Sequence, residues 1–445
     1  MKKITNFFNS LVQRYFPDPL ILGVFMLVAV LLSGFLFTPS SPADLLSSFG
    51  TGFWSMLAFT MQLSLVLLAS SAIANTKGIK KALVKLASIP KTPSQAVFFV
   101  AITTSLVGVI NWGIALVAGI IFAKEVAKQV KGTHYPLLIA ASYIGFTLWS
   151  SGLSSSIPLT LNTPGHPIGG VDGTIPLTET IFTGYNLIIT LALLLTYALV
   201  SRFMTPAKEY AIAIDPEILA HENESANTEE VSGETFAAKL DHNRIITIIL
   251  GAICLLSFGY SFYIGGINSI NLNTINMLVI GVGLLLYKGV RPYLEEIGKS
   301  VQSVVPLLIG YPIYGAISNL IVESGMGTTL TEFFASMATA ETLPLLTYIS
   351  AGLLNLFIPA AGGQIIIQGP IFLPIAEQLG VSQGLVAMAV TYGDTWTNLL
   401  QPFWALPALA LAGLGIRHIM GFCIVAMIVS GIITGSLLYL LPFIL

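Results

Sequence analysis

Long apolar runs separated by short polar loops organise this chain. Runs of crossing length cover 20–37, 53–74, 136–161, 177–200, 245–264, 275–287, 301–322, 384–414 and 419–444. A bilayer crossing takes about 20 predominantly apolar residues, so each predicts a transmembrane helix, the one from Ile275 being short. Two further stretches, 95–123 and 343–376, are interrupted near their centres. The first breaks at Ile110-Asn111-Trp112-Gly113 and the second at Pro359-Ala360-Ala361-Gly362-Gly363-Gln364. Each predicts a re-entrant hairpin that goes part way in and returns to the same side.

Charge placement sharpens this pattern. Only 9% of residues are charged and 55% are hydrophobic, and the mean hydropathy is +0.85. Soluble domains carry about 25% charged residues, so the chain reads as an integral membrane protein. With both interrupted stretches as hairpins, every Lys and Arg falls on one side of the membrane. The loops around 39–50, 163–176, 265–273, 323–342 and 377–383 contain none. Basic residues concentrate in cytoplasmic loops. The expected topology is therefore nine crossings, with the N-terminus cytoplasmic and the C-terminus outside. Counting either hairpin as a full crossing would invert every later loop and break the pattern. The first crossing continues into the fold, so no cleaved signal is expected.

Segment 205–243 is the one polar linker, rich in Glu and Asp and expected to be a flexible cytoplasmic connection. It divides the chain into a first transmembrane repeat (1–204), the linker, and an extra helix plus a second repeat (244–445). The halves echo each other: Gly78 and Gly327, Gly113 and Gly362, Tyr143 and Tyr392, Pro158 and Pro407 each stand 249 positions apart. An odd number of crossings separates equivalent elements, so the second repeat is expected upside down. Inverted repeats with interrupted helices mark secondary transporters, and the interruptions point to the binding site. Segment 77–90 has basic and apolar residues at helical spacing and predicts an amphipathic helix at the membrane surface. The fold class expected is thus an all-α polytopic membrane protein of two inverted-topology repeats, each with a re-entrant hairpin and an interrupted helix.

Asp394, in Thr391-Tyr392-Gly393-Asp394-Thr395-Trp396-Thr397-Asn398, is the one ionisable residue in the middle of an apolar run. Such a residue costs at least about 2.5 kcal/mol to insert and tends to have a task. Gly393 and Pro402 predict a helix break between them. The freed carbonyls, with Thr395, Thr397 and Asn398, would hold Na⁺ beside Asp394, or Asp394 would carry a proton. A structural Asp at a kink is the bland alternative. In the first repeat the matching run, Thr147 to Ser156, holds Ser150, Ser151, Ser154, Ser155 and Ser156, suited to a carboxylate or merely to close helix packing. The half-helices after the hairpin tips, beginning at Gly113 and Gly363, offer free N–H groups to an anion. Asn111, Trp112, Gly113, Ser150, Ser151, Ser154, Gly362, Gly363, Gln364 and Asn398 are therefore the candidate substrate contacts. Asp394, Thr395 and Thr397 are the candidate coupling-ion residues. No metal is expected beyond that Na⁺, and no cofactor. The chain has no HExxH, GxSxG or P-loop, so an enzyme is not expected. Cys254 and Cys423 both lie in apolar runs and read as packing.

Phe16-Pro17-Asp18-Pro19-Leu20, Ile110-Asn111-Trp112-Gly113, Pro359 to Gln364, Ile367-Gln368-Gly369-Pro370, Tyr392 to Asn398, and the run from Gln401 to Arg417 resemble the bacterial short-chain fatty acid transporter family. Relatives have His where Gln364 stands and Glu where Asp394 stands. The resemblance implies a secondary active transporter of the inner membrane for butyrate, acetoacetate or similar monocarboxylates, coupled to H⁺ or Na⁺. Its partners would be the carboxylate and the lipid bilayer, with no nucleic acid, and related hairpin carriers suggest a homodimer. A passive channel for small carboxylates is the alternative.

Overall fold

In the computed structural model the chain is all-helical over the residues it describes: 2–15, 19–162, 168, 173–216, 236–269, 272–359, 361–401 and 403–441. Pro402, expected to break a helix, and the centre of the acidic linker lie outside them. The first half runs α1 (Lys2–Tyr15), α2 (Pro19–Phe37), α3 (Pro42–Ser55), α4 (Leu57–Ala74), α5 (Lys77–Ala87), α6 (Pro93–Ile110), α7 (Trp112–Gln129), α8 (Tyr135–Phe146), α9 (Ser156–Leu161) and α10 (Gly184–Phe203). After α11 (Phe236–Asp241) and α12 (Arg244–Gly265), the second half runs α13 (Leu272–Leu286), α14 (Val290–Lys299), α15 (Val305–Glu323) and α16 (Met326–Ala335). It ends with α17 (Leu343–Asn355), α18 (Ala361–Gln378), α19 (Gln383–Thr397), α20 (Ala405–Ala412) and α21 (Met420–Leu440).

The offset of 249 carries over to the elements. Residues 112 and 129, the ends of α7, map onto 361 and 378, the ends of α18. The starts of α5 and α9 map onto those of α16 and α20, and the ends of α2 and α4 onto those of α13 and α15. The repeat is therefore one of structure as well as of landmarks.

Both interrupted stretches are antiparallel helical hairpins. In the first, α6 and α7 are separated by the single residue Asn111. Further along the arms, Phe99 lies 5.8 Å from Phe122 between ring centroids, and Gly119 packs on Thr104. In the second, Gln364 Nε2 donates to the Ala351 carbonyl at 2.6 Å and Gln368 Nε2 to Ser350 Oγ at 2.9 Å.

Seven helices among the described residues are long and apolar enough to cross a membrane, or nine if two bent pairs count as spans. This nine differs in membership from the expected nine. It takes in 93–110, a hairpin arm, and passes over 384–414, because the chain there leaves the helix between α19 and α20. Two expected boundaries move as well. The crossing predicted from 177 begins at Gly184, where the Thr183 hydroxyl caps the helix. The crossing predicted from 53 is preceded by α3, started by a Ser41–Asp44 capping box with Pro42 in its first turn.

Burial shows what sits at the centre. Every residue of α8 is buried, as is nearly all of α19. In α2 and α12 only 17% of the span is buried, as expected of helices that face lipid. The two interrupted helices thus form the core, with the hairpins around them.

Candidate functional site at the helix breaks

In the first half the break follows α8 through a 3₁₀ turn, Thr147–Ser151, and spans Gly152 to Ser155 before α9. Gly152 lets the chain approach hairpin one: a Cβ there would run into the Val109 carbonyl, and the Leu153 N–H donates to that same carbonyl at 2.8 Å. The Trp112 N–H donates to Ser154 Oγ at 2.9 Å, and Asn111 Oδ1 accepts the Ile114 N–H at 3.1 Å. The first N–H groups of a helix have no partner within it. Here two are already satisfied, and the half-helix begins at Trp112. The expected start of the half-helix at Gly113 thus moves back by one residue, to Trp112. Ser150 turns back to the Thr147 carbonyl at 3.4 Å. The hydroxyls of Ser151 and Ser155 and the indole N–H of Trp149 are buried without a hydrogen-bond partner.

In the second half α19 stays helical through Thr397 and α20 begins at Ala405, with the second break between them. Gly393 is not a bend: a Cβ there would meet the Tyr348 carbonyl and Ala351, so this glycine lets α19 and α17 pack closely. The helix does not break at Gly393; it ends after Thr397, where the Asn398 carbonyl accepts the Tyr143 hydroxyl. Thr395 and Thr391 donate back to carbonyls one turn earlier, at 3.0 and 2.9 Å. Asn355, at the end of α17, ties the hairpin to the break. Its Nδ2 donates to Thr397 Oγ1 at 2.9 Å and Asn398 Oδ1 at 2.8 Å. The Thr397 hydroxyl donates to the Gly352 carbonyl at 2.7 Å, Gln401 Nε2 to Asn398 Oδ1 at 3.0 Å, and Trp404 Nε1 to the Pro359 carbonyl at 3.1 Å. Gly362 and Gly363 lie in the first turn of α18.

Asp394 is 1% exposed and its Oδ1 has no hydrogen-bond partner. Asn398 is on the same helix face one turn on, and its Nδ2 is likewise unpartnered. None of the ion pairs among the described residues involves Asp394. Oδ1 of Asn355 and Oε1 of Gln364 are also buried and unpartnered. These three open acceptors belong to the second half, which also holds an open donor in Asn398 Nδ2; in the first half Trp149 offers an open donor, and the Ser151 and Ser155 hydroxyls are open groups that can donate or accept.

The two interrupted helices are joined to each other. The Tyr143 hydroxyl of α8 donates to the Asn398 carbonyl at 2.7 Å. Asn186 of α10 donates to the Ser151 carbonyl at 3.0 Å and accepts from the Tyr392 hydroxyl at 2.6 Å. The Trp404 ring stands 5.3 Å from Trp112 at the opposite hairpin tip. The structure thus joins Asn111, Trp112 and Ser154 at one break, and Thr397 and Asn398 at the other. Ser150 and Thr395 are turned to their own helices. Sequence reasoning missed Asn355, Gln368 and Asn186, whose signal was present: each is a polar residue inside an apolar stretch.

The short chain fatty acid transporter family model matches residues 1–441. The chain belongs to this family. A protein of Escherichia coli (strain K12) named "Putative short-chain fatty acid transporter" is 40% identical over 431 residues, covering 97% of this chain and 98% of its own. A protein of the same name from Haemophilus influenzae is 38% identical over 435 residues, covering 96% and 97%. Among solved structures, the Alcanivorax borkumensis YdaH transporter aligns at 17% identity and TM-score 0.45, covering 94% of this chain and 99% of its own. Neisseria gonorrhoeae MtrF aligns at 15% identity and TM-score 0.42, covering 98% of each chain. The protein is a multi-pass membrane transporter of this family.

Proposed function

We propose that the protein is a secondary active carrier that brings short-chain monocarboxylates such as butyrate or acetoacetate into the cell together with H⁺ or Na⁺. The observation that carries this reading is Asp394: a carboxyl group at the centre of the fold, with an unpartnered oxygen and, among the described residues, no cationic residue paired to it. A carboxylate substrate faces a negative-inside potential, and moving one charge across 100 mV costs about 2.3 kcal/mol. A cation taken up beside Asp394 cancels that cost. In this reading the open acceptors of the second half receive the cation. The open groups of the first half, Trp149, Ser151 and Ser155, donate to the substrate carboxylate, with Asn398 between the two. The chain would sit in the inner membrane with its N-terminus inside, its hairpins re-entrant and its repeats inverted. A difference between equivalent helices supports the inversion: α5 carries Lys77, Lys80, Lys81 and Lys85, while α16 has no Lys or Arg.

The test is uptake of labelled butyrate and acetoacetate into proteoliposomes under imposed Na⁺ or pH gradients. Wild type is expected to accumulate label under one of these gradients and to show counterflow, which a passive channel does not. Asp394→Asn is expected to abolish accumulation while leaving exchange at equal ion concentrations measurable. Accumulation by Asp394→Asn at the wild-type level would make Asp394 a structural residue and overturn the coupling assignment.

A further inference from the structure

Helix α5 connects two elements that enter the membrane. It follows α4 after only Asn75 and Thr76, and residues 88–92 separate it from α6, the first arm of hairpin one. Both α4 and α6 lie in spans apolar enough to cross, so α5 is held at the bilayer surface at both ends. Ile79, Leu83 and Leu86 stand at i, i+4 and i+7 and form one face. Lys77, Lys80, Lys81 and Lys85 form the opposite one. One edge of the apolar face packs on the protein through Leu83 and the buried Ala87. Ile79 and Leu86 are 38% and 42% exposed, and all four lysines are exposed. The Val84 carbonyl accepts from Gln129 Nε2 at 2.8 Å, which fastens α5 to the end of α7, the second arm of hairpin one. No acidic residue occurs in the sequence between Asp44 and Glu125. Helix α14, also amphipathic, is built differently: Arg291 pairs with Glu295 and Lys299 with Glu296, each at 2.9 Å within the helix. The fold itself does not require the lysines of α5. In α16, the equivalent helix of the second half, Met326, Thr329, Leu330 and Phe334 stand in their places.

We propose that the lysine face of α5 docks the headgroups of anionic phospholipids, and that the bound lipid steadies hairpin one. The two faces of the helix together select this occupant. Ile79 and Leu86 point outward at the bilayer surface, where acyl chains are the apolar phase at hand. Helices of this kind lie in the interface with their apolar side among those chains. Four lysines beside that phase then meet the headgroups, and only anionic lipids offer them a net charge. Each lysine held at such a surface strengthens binding about fivefold. The position gives the lipid a consequence. Helix α7 joins α5 at its far end to the tip of hairpin one at its start, where the Trp112 N–H meets Ser154 of the first break. A lipid that fixes α5 therefore fixes the base on which that tip stands. The transport arm of the test rests on the carrier reading; the binding arm does not.

The experiment uses the full-length protein in phosphatidylcholine nanodiscs with a few per cent of a phosphatidylglycerol bearing a photoreactive diazirine near its headgroup. Crosslinks are expected to concentrate in residues 77–91, to be displaced by unlabelled phosphatidylglycerol, and to weaken in high salt. The variant combining Lys77→Gln, Lys80→Gln, Lys81→Gln and Lys85→Gln is expected to lose labelling at least tenfold, with an unchanged Tm because these side chains are exposed. Arginine at the same four positions should keep the labelling. Where wild type transports butyrate, adding phosphatidylglycerol to phosphatidylcholine vesicles should raise its uptake several-fold. The glutamine variant should take up butyrate equally in both lipids, and the arginine variant should behave as wild type. Labelling that survives the glutamine substitutions, or that spreads evenly over the lipid-facing helices, overturns the site. Displacement by soluble glycerol phosphate as effectively as by lipid makes it a site for a free anion and overturns it. Labelling that appears only after Glu222→Gln, Glu224→Gln, Glu229→Gln and Glu230→Gln are combined assigns the lysines to the acidic linker and also overturns it. Uptake indifferent to phosphatidylglycerol while labelling holds overturns the effect on hairpin one. If wild type moves no short-chain acid yet the labelling pattern holds, the carrier reading fails and this site stands.

Discussion

At the scale of single residues, Asp394 and Asn355 show how differently two polar side chains announce themselves. An ionisable group in an apolar run is conspicuous, because its insertion cost demands a reason. Asn355 is uncharged and inexpensive by comparison, yet it holds the second hairpin to the second break through both Thr397 and Asn398. Removing a buried donor leaves its acceptors unsatisfied, at about 1–3 kcal/mol. Asn355→Ala is therefore expected to lower the Tm of the purified protein by several degrees and to cut butyrate uptake at least tenfold. Normal uptake at a normal Tm would show that the break holds its shape without this bond. Gly393 teaches the complementary lesson. A glycine beside an acid suggested a bend, but only the neighbouring helix revealed that it is there for close packing.

At the scale of elements, the hairpins and the interruption of the helices were legible because Asn, Pro and Gly clusters punctuate apolar runs. Their edges were less so. The start of α3 did carry a readable signal in Ser41, Pro42 and Asp44, whose side chains close a capping box. The start of α10 was obscured by the apolar Leu177, Ile181 and Phe182 ahead of it. Nothing local announced that Ser154 accepts the Trp112 N–H, since the two are 42 residues apart. That bond ties the tip of hairpin one to the first break. Ser154→Ala is expected to destabilise by about 1 kcal/mol and to raise the KM for butyrate several-fold while the maximal rate changes little. A variant with wild-type KM would show that the tip keeps its position without the serine.

At the scale of the whole molecule, the inside-positive distribution of Lys and Arg yields a test of orientation. A single cysteine at Glu341, in a connection without basic residues, is expected to react with an impermeant maleimide added to intact cells. One at Glu209, beyond α10, is expected to react only after permeabilisation. Reaction at Glu209 in intact cells would reverse the orientation. The sequence by itself determined the membrane class, the hairpin interruptions and the repeat of 249 residues. These follow from hydropathy, from the few residues able to break a helix, and from identity at a constant spacing, all of which are properties of the chain read in order. Only the tertiary structure decided which polar groups are satisfied and which remain open. Ser150, Ser151 and Ser154 are alike in sequence, yet one turns to its own helix, one is unpartnered and one holds the tip of hairpin one. The reason is physical: a buried hydroxyl or amide takes whichever partner the packing of distant helices presents, and that choice is made between elements, not along the chain.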